Sequence, residues 1–200
     1  MDIKSPAAAD SRPLLARVPS VPIDLERVRL RRVEASDADA FFAIYSDAQV
    51  CRYLSHPSWT ERTQAEEWIA KVFTWHERGS SIQLAIERKD DRVTIGSCTL
   101  FNCNEGSRRA EIGYALNRSY WGAGYMHEAL VALIDLGFGT LGLNRLEADI
   151  DPRNAGSKRS LERLGFKSEG HLRERWIVAG EVSDTEYLGL LSAEWKSRSS

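Results

Sequence analysis

Near the middle of a 200-residue chain, Glu111-Ile112-Gly113-Tyr114-Ala115-Leu116 leads into Trp121-Gly122-Ala123-Gly124-Tyr125. The first segment reads as a strand and the second as a turn that opens a helix. That helix carries Ala129, Leu130, Leu133, Ile134 and Phe138 on one side. A strand entering a glycine turn and then a helix N-terminus makes an anion site. Glycine lets the backbone approach a ligand, and the unpaired N–H groups and the helix dipole favour phosphate oxygens. No Gly-Lys-Ser/Thr follows, so this is not a Walker loop. The three-glycine spacing of a dinucleotide fingerprint also fails.

On the N-terminal side, Ile82, Leu84 and Ile86 alternate as on a strand. A turn at Lys89-Asp90-Asp91-Arg92 follows, then a strand over 93–101, a loop over 102–107 and the strand 109–117. Further back, Ser36-Asp37-Ala38-Asp39 reads as a capping-box-like start to a helix with Phe41, Phe42, Ile44 and Tyr45. After Pro57, Thr60 is a cap candidate for a second helix. Its Ala65, Trp68, Ile69, Val72 and Phe73 form one face, and Gly79 stops it. Val28 to Val33 alternates as a half-buried strand whose arginines form either a solvated face or a partner surface.

Downstream, Leu146, Ala148 and Ile150 alternate on a strand, and a helix runs from about Asn154 to Leu164, stopped by Gly165. Residues 166–191 read as two strands turning at Ala179-Gly180-Glu181. The order is β-αα-βββ-α-β-α-ββ. Residues 1–22 hold four of the six prolines and read as a flexible N-terminal leader or a loosely packed arm; 23–196 form the domain, and 197–200 a frayed tail.

The charge balance of −2 leaves no global basic field for nucleic acid. Cys51, Cys98 and Cys103 are odd in number and lack a disulfide-framework spacing. Cys98 and Cys103, five apart, are expected on opposite strand faces. The four histidines have no paired ligand spacing, so no metal is expected. With no membrane-length apolar run and no signal-peptide core, the expectation is a soluble, cytoplasmic protein with no membrane partner.

Element order and motif together resemble the GNAT acetyltransferase superfamily, specifically its RimJ/RimL-type branch, over about residues 25–195. The most specific block runs from Ala110 to Tyr125 and on to Glu128-Ala129. A second block is Asn154-Ala155-Gly156-Ser157, followed by Leu164-Gly165-Phe166 and Glu169-Gly170. The resemblance implies an α/β (α+β) GNAT fold: a mixed, mostly antiparallel sheet with splayed middle strands and flanking helices. It implies acetyl-CoA as cosubstrate, its pyrophosphate on Trp121, Gly122, Ala123, Gly124, Tyr125 and Met126. Its pantetheine arm would run beside the strand ending at Leu116, with Asn154 and Ser157 also at the cofactor. Trp121 replaces the superfamily's Gln/Arg, and Met126 a small residue whose replacement is expected to crowd the phosphates.

By the same resemblance, Glu111 matches the general base and Ser157 the hydroxyl near the CoA sulfur, where a donor would stabilise a leaving thiolate. Their plain alternatives are a charge that fixes the strand and an ordinary first-turn serine; Asn154 is equally a helix N-cap. Leu161 stands where many relatives have a tyrosine donor. The branch's second carboxylate falls at Trp176, with Glu174 two residues earlier on the same strand face as a substitute; Trp176 itself reads either as lining an acceptor pocket or as core.

The implied acceptor is a primary amine: a protein N-terminus first, a small amine such as a polyamine or antibiotic second. A non-catalytic acyl-CoA sensor is the reading from another class. At pH 7 an α-amine is about 14% neutral and a lysine about 0.04%, so lysine asks about 3.5 kcal/mol more of a base. The chain is expected to be a monomer or a homodimer.

Overall fold

A computed structural model of the chain describes residues 12–196. Eight strands form one sheet in the order β1-β2-β3-β4-β5-β6-β8-β7. They are β1 (Ile23–Asp24), β2 (Val28–Arg32), β3 (Ile82–Arg88), β4 (Thr94–Asn104), β5 (Arg109–Leu116), β6 (Arg145–Ile150), β7 (Lys167–Val178) and β8 (Glu181–Leu191). The helices are α1 (Ala38–Tyr45), α2 (Ala48–Cys51), α3 (Thr63–Arg78), α4 (Tyr125–Asp135), α5 (Ala155–Leu164) and α6 (Ser192–Lys196). The expected order holds, with the short β1, α2 and α6 added.

Two apolar clusters lie on opposite faces of the sheet. On one face, Leu130, Leu133 and Ile134 of α4 and Leu161 and Leu164 of α5 pack on Leu30, Ile86, Leu100 and Leu146. On the other, Phe41, Ile44 and Tyr45 of α1 meet Ala65, Ile69 and Val72 of α3 over Ala85 and Ala115. The first six residues of β3 are buried, because both faces there are covered. Phe73, placed on the buried face by spacing, is 39% exposed at the edge of α3.

Local signals shift by a residue or two from the sequence reading. The capping box ahead of α1 joins Glu34 and Asp37 rather than Ser36 and Asp39. Helix α3 begins at Thr63; the Gln64 side chain accepts from the Thr60 and Glu61 N–H groups. Gly79 ends α3 in the left-handed region at φ +62°. Gly180 and Ala179 turn the β7–β8 hairpin with φ of +85° and +49°.

Three expectations meet the structure. Of the two readings of the N-terminal segment, residues 12–22 resemble the arm more than the free leader: Leu14, Leu15 and Val18 are buried in the α4-side cluster. The Leu14 N–H donates to Glu105 Oε1 at 2.8 Å. The apolar Leu-Leu-x-x-Val pattern gives this segment a face to bury, which proline content alone obscures. Residues 1–11 and the 197–200 tail lie outside the described residues.

Second, Cys98 and Cys103 share a face. The β4–β5 register breaks between Phe101 and Asn104, and Asn102 sits at φ +49°. The extra residue resets the alternation, so Cys103 packs on the same cluster that buries Cys98.

Third, Arg31 of β2 faces neither solvent nor a partner. It donates to both Asp37 oxygens at 2.8 and 2.7 Å, to Glu87 Oε2 at 2.7 Å and to Thr94 Oγ1 at 2.9 Å.

Candidate active site

Strands β5 and β6 form the sheet's parallel pair, and they pair only at Arg109↔Arg145, Ala110↔Leu146 and Glu111↔Glu147. Beyond Glu111 they part, while β4 stays paired with β5 as far as Leu116. The β6-facing edge of β5 is therefore open from Ile112 to Leu116. The gap is a consequence of the strand ladder, which no local periodicity encodes.

Side chains alternate across that gap. Glu111 and Gly113 face the α1/α3 side, where Gly113 lines a cavity. Tyr114 faces α5, and its Oη lies 2.7 Å from Ser157 Oγ. Ser157 is held in turn by its N–H, which donates to Asn154 Oδ1 at 3.0 Å. Asn154 is thus the N-cap of α5, as its alternative reading had it. Burial pushes the Tyr114 hydroxyl up to about 12, with the Ser157 hydrogen bond opposing, so it stays protonated at neutral pH. Leu161 is fully buried core. Tyr114 supplies the second hydroxyl that Leu161 cannot; strand parity around Glu111 places it on the α5 face, but only the fold brings it to Ser157.

Glu111 is half-buried and accepts one hydrogen bond, from Asn102 Nδ2 at 3.2 Å. Burial pushes its carboxyl above the usual range. The Asn102 hydrogen bond and Arg109 oppose this, and Glu147 and Asp149 reinforce it. Glu147 is engaged by Arg109 Nη1 at 2.6 Å and Arg145 Nε at 2.8 Å. Asp149 is the carboxylate that the sequence reading missed. It lies two residues beyond Glu147 on the same face, where the strands have parted. Thr185 Oγ1 donates to it at 2.9 Å and Trp176 Nε1 at 3.3 Å. Trp176 therefore positions a carboxylate rather than replacing one. Glu174 does not share its simple alternation, because the β7–β8 register breaks between Leu172 and Trp176 and Glu174 has φ +51°. The Glu174 N–H donates to Asp184 Oδ1 at 2.8 Å.

At the far end of the gap is the glycine turn. Gly122 and Gly124 adopt φ of +76° and +84°, and Gly124 is the N-cap of α4. Trp121 Nε1 donates to Leu116 O at 2.8 Å, tying the turn to the end of β5. Met126 is partly buried and packs against the α4-side core. Arg27, also missed, donates from Nη1 to Ala123 O at 2.8 Å and from Nε to Glu128 Oε2 at 2.9 Å. Its guanidinium lies 4.8 Å from the Tyr125 ring centroid. The turn thus joins two left-handed glycines, a helix N-terminus and a guanidinium, a combination suited to phosphate oxygens.

The sequence pattern described as an acetyltransferase (GNAT) domain matches residues 27–167. This chain belongs to the GNAT acetyltransferase family. It is an acetyl-transferring enzyme, and the proteins it is similar to include RimJ-type ones. An uncharacterized N-acetyltransferase of Bacillus licheniformis, p20, is 36% identical over 170 residues, covering 85% of this chain and 96% of that protein. The [ribosomal protein uS5]-alanine N-acetyltransferase of Escherichia coli (strain K12) is 27% identical over 188 residues, covering 90% and 95%. The structure of Mycobacterium smegmatis RimJ in complex with CoA-disulfide superposes with a TM-score of 0.75 at 26% identity. That match covers 84% of this chain and 83% of the other.

No group of three or more His, Cys, Asp or Glu able to hold a metal ion occurs among the described residues. No helix among them is long and apolar enough to cross a membrane.

For this GNAT enzyme, Gly124→Val tests the turn. A β-branched residue is strained at φ +84°, and even a bare Cβ would come within 3.2 Å of Arg27 Nη2. We expect acetyl-CoA affinity to fall at least about tenfold, a loss of about 1.4 kcal/mol, with the fold retained. Calorimetry and a thermal melt check both points, and unchanged affinity would remove the turn from the site.

Proposed function

We propose that this protein transfers an acetyl group from acetyl-CoA to the α-amine of a polypeptide N-terminus. The observation that carries the chemistry is the opening between β5 and β6, with Glu111 on one face and the Ser157–Tyr114 pair on the other. The thioester lies in the opening, along the free edge of β5. An amine approaching from the α1/α3 side gives its proton to Glu111, directly or through water, and attacks the carbonyl carbon. The C–N bond forms, the C–S bond breaks, and the thiolate leaves toward the hydroxyl pair on the opposite face. A carboxyl raised by burial suits an amine proton better than a fully solvated one.

A polypeptide is favoured as acceptor because the Glu111 side of β6, β8 and β7 is open. The apolar cluster built by α1 and α3 has no member from these strands, and β7 is exposed along nearly its whole length. A small amine is the second reading, favoured by the bounded cavity beside Gly113. The relative that acts on the alanine of ribosomal protein uS5 lends support to the first.

The test is transfer from acetyl-CoA to N-terminal peptides and to small amines, read by thiol release and mass. Acetylated peptide α-amines are the expected result. Acetyl-CoA binding with no transfer to any amine would leave only the sensor reading.

The hydroxyl pair makes a second prediction. Ser157→Ala alone leaves Tyr114 Oη in place, and Tyr114→Phe leaves Ser157 Oγ, so each single variant is expected to lose less than about threefold in kcat. The double variant should lose roughly 30–150-fold, corresponding to about 2–3 kcal/mol, with the acetyl-CoA KM nearly unchanged. Additive single losses, measured where chemistry limits turnover, would show that the two hydroxyls do not substitute for one another.

A further inference from the structure

Beside the β5 opening, under α1 and α3, lies a cavity of about 410 Å³. This is the size range of small-molecule sites, about 300–1,000 Å³. Its walls include Trp68, Trp75, Phe101 and Leu54. Much of the polar lining is already engaged: Tyr45, Ser97 and Gln83 with one another, Ser81 Oγ with Leu100 O at 3.3 Å and the His56 ring with Pro57 O at 2.9 Å, while Ser55, Ser80 and Thr99 add hydroxyls. Tyr45 Oη and Gln83 Nε2 each lie 3.0 Å from Ser97 Oγ. No Asp, Glu, Lys or Arg lines the cavity.

The cavity reaches the reacting centre along β5 and beside it. Gly113, Tyr114 and Ala115 line it from the open stretch of β5, and Asn102, another lining residue, donates to Glu111 Oε1. The carboxylates Glu111 and Asp149 lie outside it. The two halves therefore differ in chemistry: carboxylates where an amine must sit, and an aromatic lining without carboxylate, lysine or arginine immediately next to it.

We infer that this cavity holds a large, uncharged, apolar or aromatic group carried on the carbon next to the amine that is acetylated. The inference rests on the acetyltransferase reading and goes beyond it by fixing the acceptor's chemical class. A side chain such as Leu, Phe or Trp displaces water from aromatic walls, whereas an alanine methyl leaves most of the volume wet. A lysine side chain would find no carboxylate in the cavity, and a glutamate only the His56 ring, which is already engaged with Pro57 O. A polycation finds no carboxylate in the cavity to bind its second amine. The same chemistry is offered by a protein N-terminus with a bulky first residue or by a free arylalkylamine.

The experiment compares peptides identical beyond residue one and starting with Ala, Leu, Phe, Trp, Lys or Glu, together with 2-phenylethylamine and spermidine, all with the full chain. A single missing methylene in such a pocket changes kcat/KM by about 10–200-fold. We therefore expect the Leu, Phe and Trp peptides to exceed the Ala peptide by at least about 30-fold, with the Lys and Glu peptides and spermidine below Ala. Thr99→Phe, which narrows the cavity, should compress this ratio toward one while Ala-peptide turnover persists.

If 2-phenylethylamine matches the Phe peptide, the free amine is the source; if the Phe peptide is far better, the polypeptide is. A flat profile, or preference for Ala or spermidine, would overturn the inference and leave the acetyltransferase reading standing. No transfer to any acceptor, with acetyl-CoA still bound, would overturn both. The wild-type panel decides without relying on the variant's folding.

Discussion

Glu111→Gln is expected to lower kcat/KM by about 10²–10⁴-fold, the range for loss of a positioned general base. The amide is nearly isosteric and still accepts from Asn102 Nδ2, so the loss reports the missing proton acceptor rather than a displaced strand. The pH profile carries the sharper signature. A base works deprotonated, so activity falls as the pH drops through its pKa. Burial, with Glu147 and Asp149 nearby, raises that value above the ordinary glutamate range, and the acidic limb should be displaced upward accordingly. Glu111→Gln should abolish the limb.

Asp149→Asn separates base from neighbour. It removes one of the charges that raise Glu111, so the limb should move down while most of kcat survives. If instead Glu111→Gln keeps the limb at full height and Asp149→Asn removes it, the proton goes to Asp149.

The second large effect is on stability. Arg31→Met is expected to cost about 3–5 kcal/mol, the range for breaking a buried ion pair by removing one partner. Arg31 and Asp37 are 11% and 3% exposed at their side chains, so neither charge is well solvated. Burial alone pushes Asp37 up. The Arg31 hydrogen bonds, the Glu34 N–H and Thr94 Oγ1 outweigh it and hold the carboxyl below its usual value. Such a group contributes stability above its unfolded pKa of about 3.9, and that contribution is lost as the pH falls through the lower folded value.

Without Arg31 the sign reverses, because burial then dominates and Asp37 penalises the fold while charged. Glu87 suffers less, since Arg92 Nε lies 2.7 Å from it. Denaturant melts of both proteins should show the full gap at pH 7 and a narrowing gap in acid, as protonation relieves the variant and weakens the wild type. A gap below about 1 kcal/mol would mean that water reaches Asp37.

The amino-acid sequence by itself determined the elements and their order. Periodicity at Ala65, Ile69 and Val72 and at Leu130, Leu133 and Ile134, with stops at Gly79 and Gly165, is a local property of helices packed on one face. The glycine turn was equally legible, because Gly122 and Gly124 sit where left-handed backbone is needed. Glu111, Ser157 and Asn154 were found through a family pattern, which records spacing without saying what lies across the gap.

The tertiary structure decided the rest. Tyr114 and Ser157 are 43 positions apart and meet only because α5 returns beneath β5. Asp149 becomes part of the site because β6 diverges after three pairings. The shift at Asn102, which turns both it and Phe101 toward the cavity, is a register break that alternation cannot foresee. Arg31 looks like any arginine on a solvated strand until Asp37, Glu87 and Thr94 converge on it. Periodicity reports which way a side chain points relative to its own strand or helix. What it meets there depends on strand pairing, register and crossover, which are properties of the whole sheet.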